Sequence, residues 1–325
     1  MNASRHMVSG ECTCMDMGVA VTDCVPTKVN TDIWTQVVRH GPGQQKGPLS
    51  VTNRSIIYRL HPPEGEPFLV ILNGVWADEA SDQPFAGLRE LEQATGAKVR
   101  FILAPAASHH LSLVHYARAF PEARVCVADG RIPRANPELM AEPNVHAYPP
   151  DAPPVELAQA GLRIHVVQGL MEGSRSTRVA LVAEFDWSYV PNSTEPLMVL
   201  HEPTGTITNG GHQWMYVPAD EVGVFEAPAF MMFMMKLLIK ADMRFAVPGR
   251  VTLAPDGGFA IHDRQALSAS CREILSWDFD QMLDIHAQPN KNVQSGAKQL
   301  FTDAFESIVT GDWGNVPFED GQLPA

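Results

Sequence analysis

The stretch FILAPAASHHLSLVHYARAFPEARV, Phe101 to Val125, constrains the fold more than any other part of the chain. An apolar strand, Val99 to Leu103, runs into a turn of small residues. An amphipathic helix is expected from about Ser108 to Phe120, and a second apolar strand from Arg124 to Ala128. Strand, helix and strand in this order form a β-α-β unit, whose two strands lie in one sheet with the helix packed on its face. His109 and His110 stand where the first strand hands over to the helix. Side chains at such a turn are held rigidly and stay reachable, so α/β proteins commonly place chemistry there.

The same alternation organises the rest. Residues 1–30 show no helical or strand period and read as an irregular N-terminal arm; residues 31–325 read as a single domain. Short strands IWTQVV, SIIYRL and FLVILNGV, separated by Gly, Pro and Asn turns, form a meander, and FAGLRELEQATG is a helix ending at Gly96. After the β-α-β unit comes the Pro-rich stretch ADGRIPRANPELMAEPNVHAYPPDAPP, which cannot stay regular for long. A second half then runs through the strands LRIHVVQGL, RVALVAEF, LMVLHEP and TGTITN. A methionine-rich helix follows, then a helix at Arg264–Ser276, the strand QMLDIHA and a closing helix from about Val293 to Ile308. Each half puts strands first and helices after. The economical packing is two sheets face to face with helices outside, an α/β (α+β) protein built as a four-layer αββα sandwich.

Composition narrows the partners. Twenty-four Lys and Arg against 37 Asp and Glu give a net charge of -13, which argues against nucleic acid as a partner. The longest apolar window, Ala227 to Ile239, is too short to span a bilayer and carries Lys236. No secretory signal is visible, so a cytoplasmic or otherwise intracellular protein is expected. The methionine helix, Phe230–Met243, is expected to be mostly buried, with part of it lining a hydrophobic entrance for a small-molecule ligand or a contact in a homo-oligomer. Cys126 and Cys271 fall in core elements and read as inert thiols. Cys12, Cys14 and Cys24 cluster in the arm without a standard zinc spacing.

Of the 12 histidines, three fall at strand-to-turn junctions: His109, His110 and His286, the last following QMLDI. Imidazole is the commonest metal ligand, and catalytic zinc sites gather ligands from separate chain segments onto one rim. The pieces SHHLSLVHYARAFPEARV, HEPTGTIT and ILSWDFDQMLDIHAQP resemble the metallo-β-lactamase fold superfamily, most closely a divergent domain family of unknown function within it. The resemblance covers about residues 33–309 and implies an αββα sandwich with a metal site along one edge.

The same resemblance implies an incomplete ligand set. The superfamily motif HxHxDH, laid so that it ends at His110, puts its first two histidines on Pro105 and Ala107 and its aspartate on His109. The central histidine falls on Leu170, the bridging aspartate on Asn209, and the terminal histidine is His286. One metal position therefore loses every ligand. The other keeps His109, His110, Asn209 and His286, with His201 and His212 as further candidates beside the Asn209 turn. The resemblance implies one divalent ion, zinc first, with iron or manganese as alternatives. It also implies a metal-dependent hydrolase acting on an ester, lactone or thioester. Two other readings stay open: a ligand-binding or scaffold protein that has lost hydrolase activity, and a three-histidine iron protein with redox chemistry. No serine-hydrolase elbow or phosphate loop occurs.

Overall fold

The computed structural model describes residues 12–14, 19–40, 50–75, 83–106, 109–110, 112–172, 196–210, 214–216, 225–226, 251–253, 259–261, 263–285 and 292–312. The first sheet begins with β1 (Cys12–Cys14), β2 (Val19–Asn30), β3 (Ile33–His40), β4 (Ser50–Leu60) and β5 (Phe68–Leu72), an antiparallel run. From β5 it turns parallel, through β6 (Lys98–Leu103) and β7 (Arg124–Ala128) to β8 (Val145–Tyr148). The switch follows from the connections. Short turns join antiparallel neighbours, whereas α1 (Gln83–Thr95) and α2 (Leu113–Ala119) carry the chain back to start parallel ones.

Residues 12–14 and 19–30 are strands, not an irregular arm. Three breaks in the β2–β3 register, at Val21/Asp23, Asp23/Thr27 and Lys28/Asn30, scramble the alternation that would reveal β2 in the sequence. Helix α2 begins at Leu113, several residues later than the periodicity indicates. Tight turns occupy the backbone first, with His109 N–H on Ala106 O (3.0 Å) and Leu113 N–H on His110 O (3.2 Å). Within the Pro-rich stretch the chain forms only short pieces: α3 (Arg131–Ala135), α4 (Pro137–Ala141), β8 and α5 (Val155–Gln159).

The second sheet has the order β17-β12-β11-β9, with β9 (Leu162–Val166), β11 (Leu197–His201), β12 (Thr206–Asn209) and β17 (Gln281–Asp284). Small pairs flank it: β10 (Leu170–Glu172) with β16 (Phe259–Ile261), and β13 (Trp214–Tyr216) with β15 (Val251–Leu253). The two-residue β14 (Phe225–Glu226) joins β4. Helices α6 (Arg264–Ser276) and α7 (Ala297–Thr310) cover this sheet.

Three apolar layers make the sandwich. Ile57, Leu69, Ile71 and Ile102 meet Phe85, Leu88, Tyr116 and Ala117 under α1 and α2. Ile56, Tyr58, Val70 and Leu103 meet Leu162, Val199 and Leu283 between the sheets. Met198, Leu200 and Ile207 meet Leu267, Ile274, Phe301 and Phe305 under α6 and α7. Helix, sheet, sheet and helix, separated by three apolar layers, are the αββα arrangement expected from the sequence. No helix among the described residues is long and apolar enough to cross a membrane. The methionine segment, Phe230–Met243, lies outside the described residues, as do the side chains of Cys12, Cys14 and Cys24. Cys126 and Cys271 are buried free thiols, as expected, and burial pushes the Cys126 thiol up to about 12.

Candidate functional site

The ends of β5, β6, β7, β12 and β17 lie along one rim. The turn after β6 is fastened to the second sheet: Leu197 N–H donates to Pro105 O at 2.7 Å, and Gly210 N–H donates to Leu197 O at 2.9 Å. Gly210 permits the contact. A Cβ there would lie 2.8 Å from Leu197 O and 3.0 Å from both Cβ and O of Pro105. Gly210→Ala is therefore expected to cost roughly 1–3 kcal/mol through backbone crowding, read as a lowered denaturation midpoint; an unchanged midpoint would show that the two turns are not locked together.

This fastening brings the half-buried His109 and His110 to the same rim as Asn209, which ends β12 fully buried. Strand β17 is parallel to β12, and Asp284 pairs in register with Asn209. Asn209 Nδ2 donates to Asp284 Oδ2 over a long 3.4 Å. Ile285 is buried, while His286 and His212 lie outside the described residues, so their place at the rim is not described. Pro105 and Leu170 are buried, and Leu170 sits in the apolar layer beneath α6.

His201 is set apart from these residues. In β11 it pairs with Thr206, whereas Met198 pairs with Asn209, so it sits roughly 10 Å along the strand from the rim at about 3.3 Å per residue. It stacks on Tyr58 and its Nδ1 lies 2.8 Å from Thr204 Oγ1. Burial pulls this imidazole down to about 4. Because the folded value lies below that of the unfolded chain, the unfolded chain binds more protons between the two. Stability should be full above about pH 6.5 and fall toward pH 4, by about 2–3 kcal/mol at about 1.4 kcal/mol per tenfold change in proton affinity. His201→Phe, which keeps the stack, should flatten that acid-side slope in denaturation measured across pH; an unaltered slope would locate the effect elsewhere.

Sequence reasoning missed a polar cluster at the rim. Arg54, at the outer part of β4, is fully buried, and its Nη2 donates to Asn292 Oδ1 at 2.7 Å. Burial pulls its guanidinium down to about 10, with the Asp284 carboxylate opposing. Asn73, the only non-glycine residue with positive φ among those described (64°), follows β5. Its N–H donates to Leu103 O at 3.1 Å, its Nδ2 to Arg54 O at 2.9 Å, and its carbonyl accepts from the Ser55 hydroxyl. Asparagine tolerates that left-handed backbone better than most residues, and these bonds hold it there. One sequence signal existed. Arg54 has the parity of Ile56, Tyr58 and Leu60, all of which fill the layer between the sheets.

Among the described residues no group of three or more His, Cys, Asp or Glu could hold a metal.

The architecture is thus a four-layer sandwich with its candidate site at the ends of strands from both sheets. The structure is similar to the metallo-β-lactamase FIM-1 from Pseudomonas aeruginosa in its mono-zinc form, with 13% identity over 91% of this chain and 98% of that one and a TM-score of 0.49. It is also similar to metallo-β-lactamases from Hirschia baltica (12% identity, 87% and 96% covered, TM-score 0.48) and Pontibacter korlensis (10%, 87% and 97%, 0.47). No family's sequence pattern and no curated protein matches the chain.

Proposed function

We propose that this protein is a hydrolase-like member of the metallo-β-lactamase fold whose rim holds at most one divalent metal ion, zinc before iron or manganese, and receives a small ester, lactone or thioester. The observation that carries the reading is the fastening of the His109–His110 turn to the Asn209–Gly210 turn through Leu197 and Pro105. It joins elements that are distant in sequence at the ends of strands, where such folds bind ligands. His109, Asn209 and His286 would hold the ion, whose chemistry when bound is Lewis-acid polarisation of a carbonyl. The chain's own contribution is rigidity: the buried hydrogen bonds of Asn73, Arg54 and Asp284 fix the strand ends on which the donors stand.

A second reading, a ligand-binding protein without turnover, draws support from Arg54. A guanidinium buried near Asp284 already supplies a positive charge at the rim and disfavours another cation close by. A three-histidine iron site has no comparable support. Metal content after dialysis against zinc, iron and manganese in turn separates the readings. One ion per chain, lost in His286→Ala, is the expected result. Two ions would overturn the single-site reading, and none under any condition would leave the binding protein.

A further inference from the structure

From the hydrogen bonds around His110, we infer that Asn136 fixes its neutral imidazole in the Nε2–H tautomer, making His110 a hydrogen-bond donor to the bound molecule and not a metal ligand. Asn136 links α3 to α4 and caps the latter, its Oδ1 accepting the Leu139 N–H at 3.0 Å. That bond settles which way the amide points, because reversing it would set an NH2 group against the Leu139 N–H. The amide nitrogen therefore faces His110, and Nδ2 lies 3.2 Å from His110 Nδ1.

An NH2 group donates and cannot accept, so Nδ1 must be the acceptor. A neutral imidazole carries a single ring proton, which then resides on Nε2. Neither nitrogen retains a lone pair for a cation. A ligating histidine is held the opposite way, its non-ligating N–H donating to a carboxylate or carbonyl oxygen. Two bonds to one side chain thus give His110 a polarity opposite to a ligand's. His110 follows β6 and Asn136 follows β7, both at the carboxyl ends of parallel strands. There an Nε2–H suits an acceptor oxygen: the carbonyl of an ester, lactone or thioester, or the carboxylate left by its hydrolysis. This substrate assignment rests on the function proposed above; the tautomer does not.

The test uses the protein with histidine nitrogens labelled, zinc alone as the probe, and His110→Ala to assign the resonance. At slightly alkaline pH the His110 Nε2 signal should be of the protonated, pyrrole type. His110→Ala should change zinc affinity by less than about 3-fold, while His109→Ala and His286→Ala lower it by about 10-fold or more. Asn136→Asp keeps an oxygen for the α4 cap but can only accept from His110. It should move the proton to Nδ1 and raise zinc affinity about 10-fold, as Nε2 becomes a donor to the metal. A native Nδ1–H tautomer, or a zinc loss in His110→Ala as large as in His286→Ala, would overturn the assignment. Zinc binding absent throughout, with the Nε2–H signal present, would remove the single-ion reading and leave the assignment of His110 standing.

Discussion

Replacing Asp284 by Ala is expected to destabilise the protein by about 3–5 kcal/mol, because it strips the counter-charge from a buried arginine. Arg54 has no exposed surface and Asp284 is only 3% exposed. Burial already lowers the guanidinium's proton affinity, and Asp284 is the first influence opposing that. Asn292 supplies a neutral oxygen at 2.7 Å, which satisfies one N–H without balancing the charge. The same reasoning predicts an asymmetry. Arg54→Met combined with Asp284→Asn removes both charges and should recover most of the loss, since a buried pair is dear to break and cheap to delete whole. Denaturant midpoints of the two single variants and the double variant give the coupling directly. A single-variant loss under about 1 kcal/mol would show that this pair does not hold β4 to β17.

The elements that read clearly in the sequence are those with uninterrupted burial. Strand β5 is buried at every position and β7 at all but its first, and α6 runs Arg264 to Ser276 as its spacing indicates, with Asp263 accepting the Ala266 N–H at its start. These segments lie against apolar neighbours for their whole length, so period and burial coincide. Strand β2 fails that test, with register shifts and an exposed Val25. Helix α2 starts later than its periodicity indicates, and Ser112 precedes it without a side-chain cap, leaving nothing local to mark the start.

The candidate site was legible as a set of turns and illegible as a network. His109 and His110 announced themselves by standing where a strand hands over to a helix, whereas Asn209 entered only through the resemblance. Arg54 and Asp284 did not, since each is an ordinary charged residue in a strand, and only the packing of the folded sandwich removes them from water. Asn136 is harder still. Its partner His110 lies 26 residues away, and its influence comes from which amide atom faces the ring. Residue type and spacing carry no information about that orientation; it follows from the cap that Asn136 makes on α4.

Asn209→Asp, which from the sequence alone would simply restore a metal ligand, is expected to make the fold depend on metal. Asn209 is fully buried and already donates to Asp284 at 3.4 Å. The substitution turns that donor into a second carboxylate beside Asp284, with the Arg54 guanidinium as a balancing charge. Two unit charges about 4 Å apart repel by about 4 kcal/mol at an effective dielectric of about 20, part of which the guanidinium offsets. A loss of about 3 kcal/mol is therefore expected in chelator-treated protein near neutral pH. The repulsion raises the folded-state proton affinity of the carboxylate pair above that of the unfolded chain. The folded protein then binds the extra proton over a range where the unfolded one does not, so the penalty should shrink as pH falls and grow as it rises. Zinc should reverse the loss, because an ion bound only by the folded state stabilises it by mass action and a carboxylate is a better donor to it than an amide. Thermal denaturation of the native protein and the variant, each with chelator and with zinc, reads all four states. A variant as stable as the native protein without metal, and indifferent to zinc, would place Asn209 outside both the Asp284 contact and the metal position.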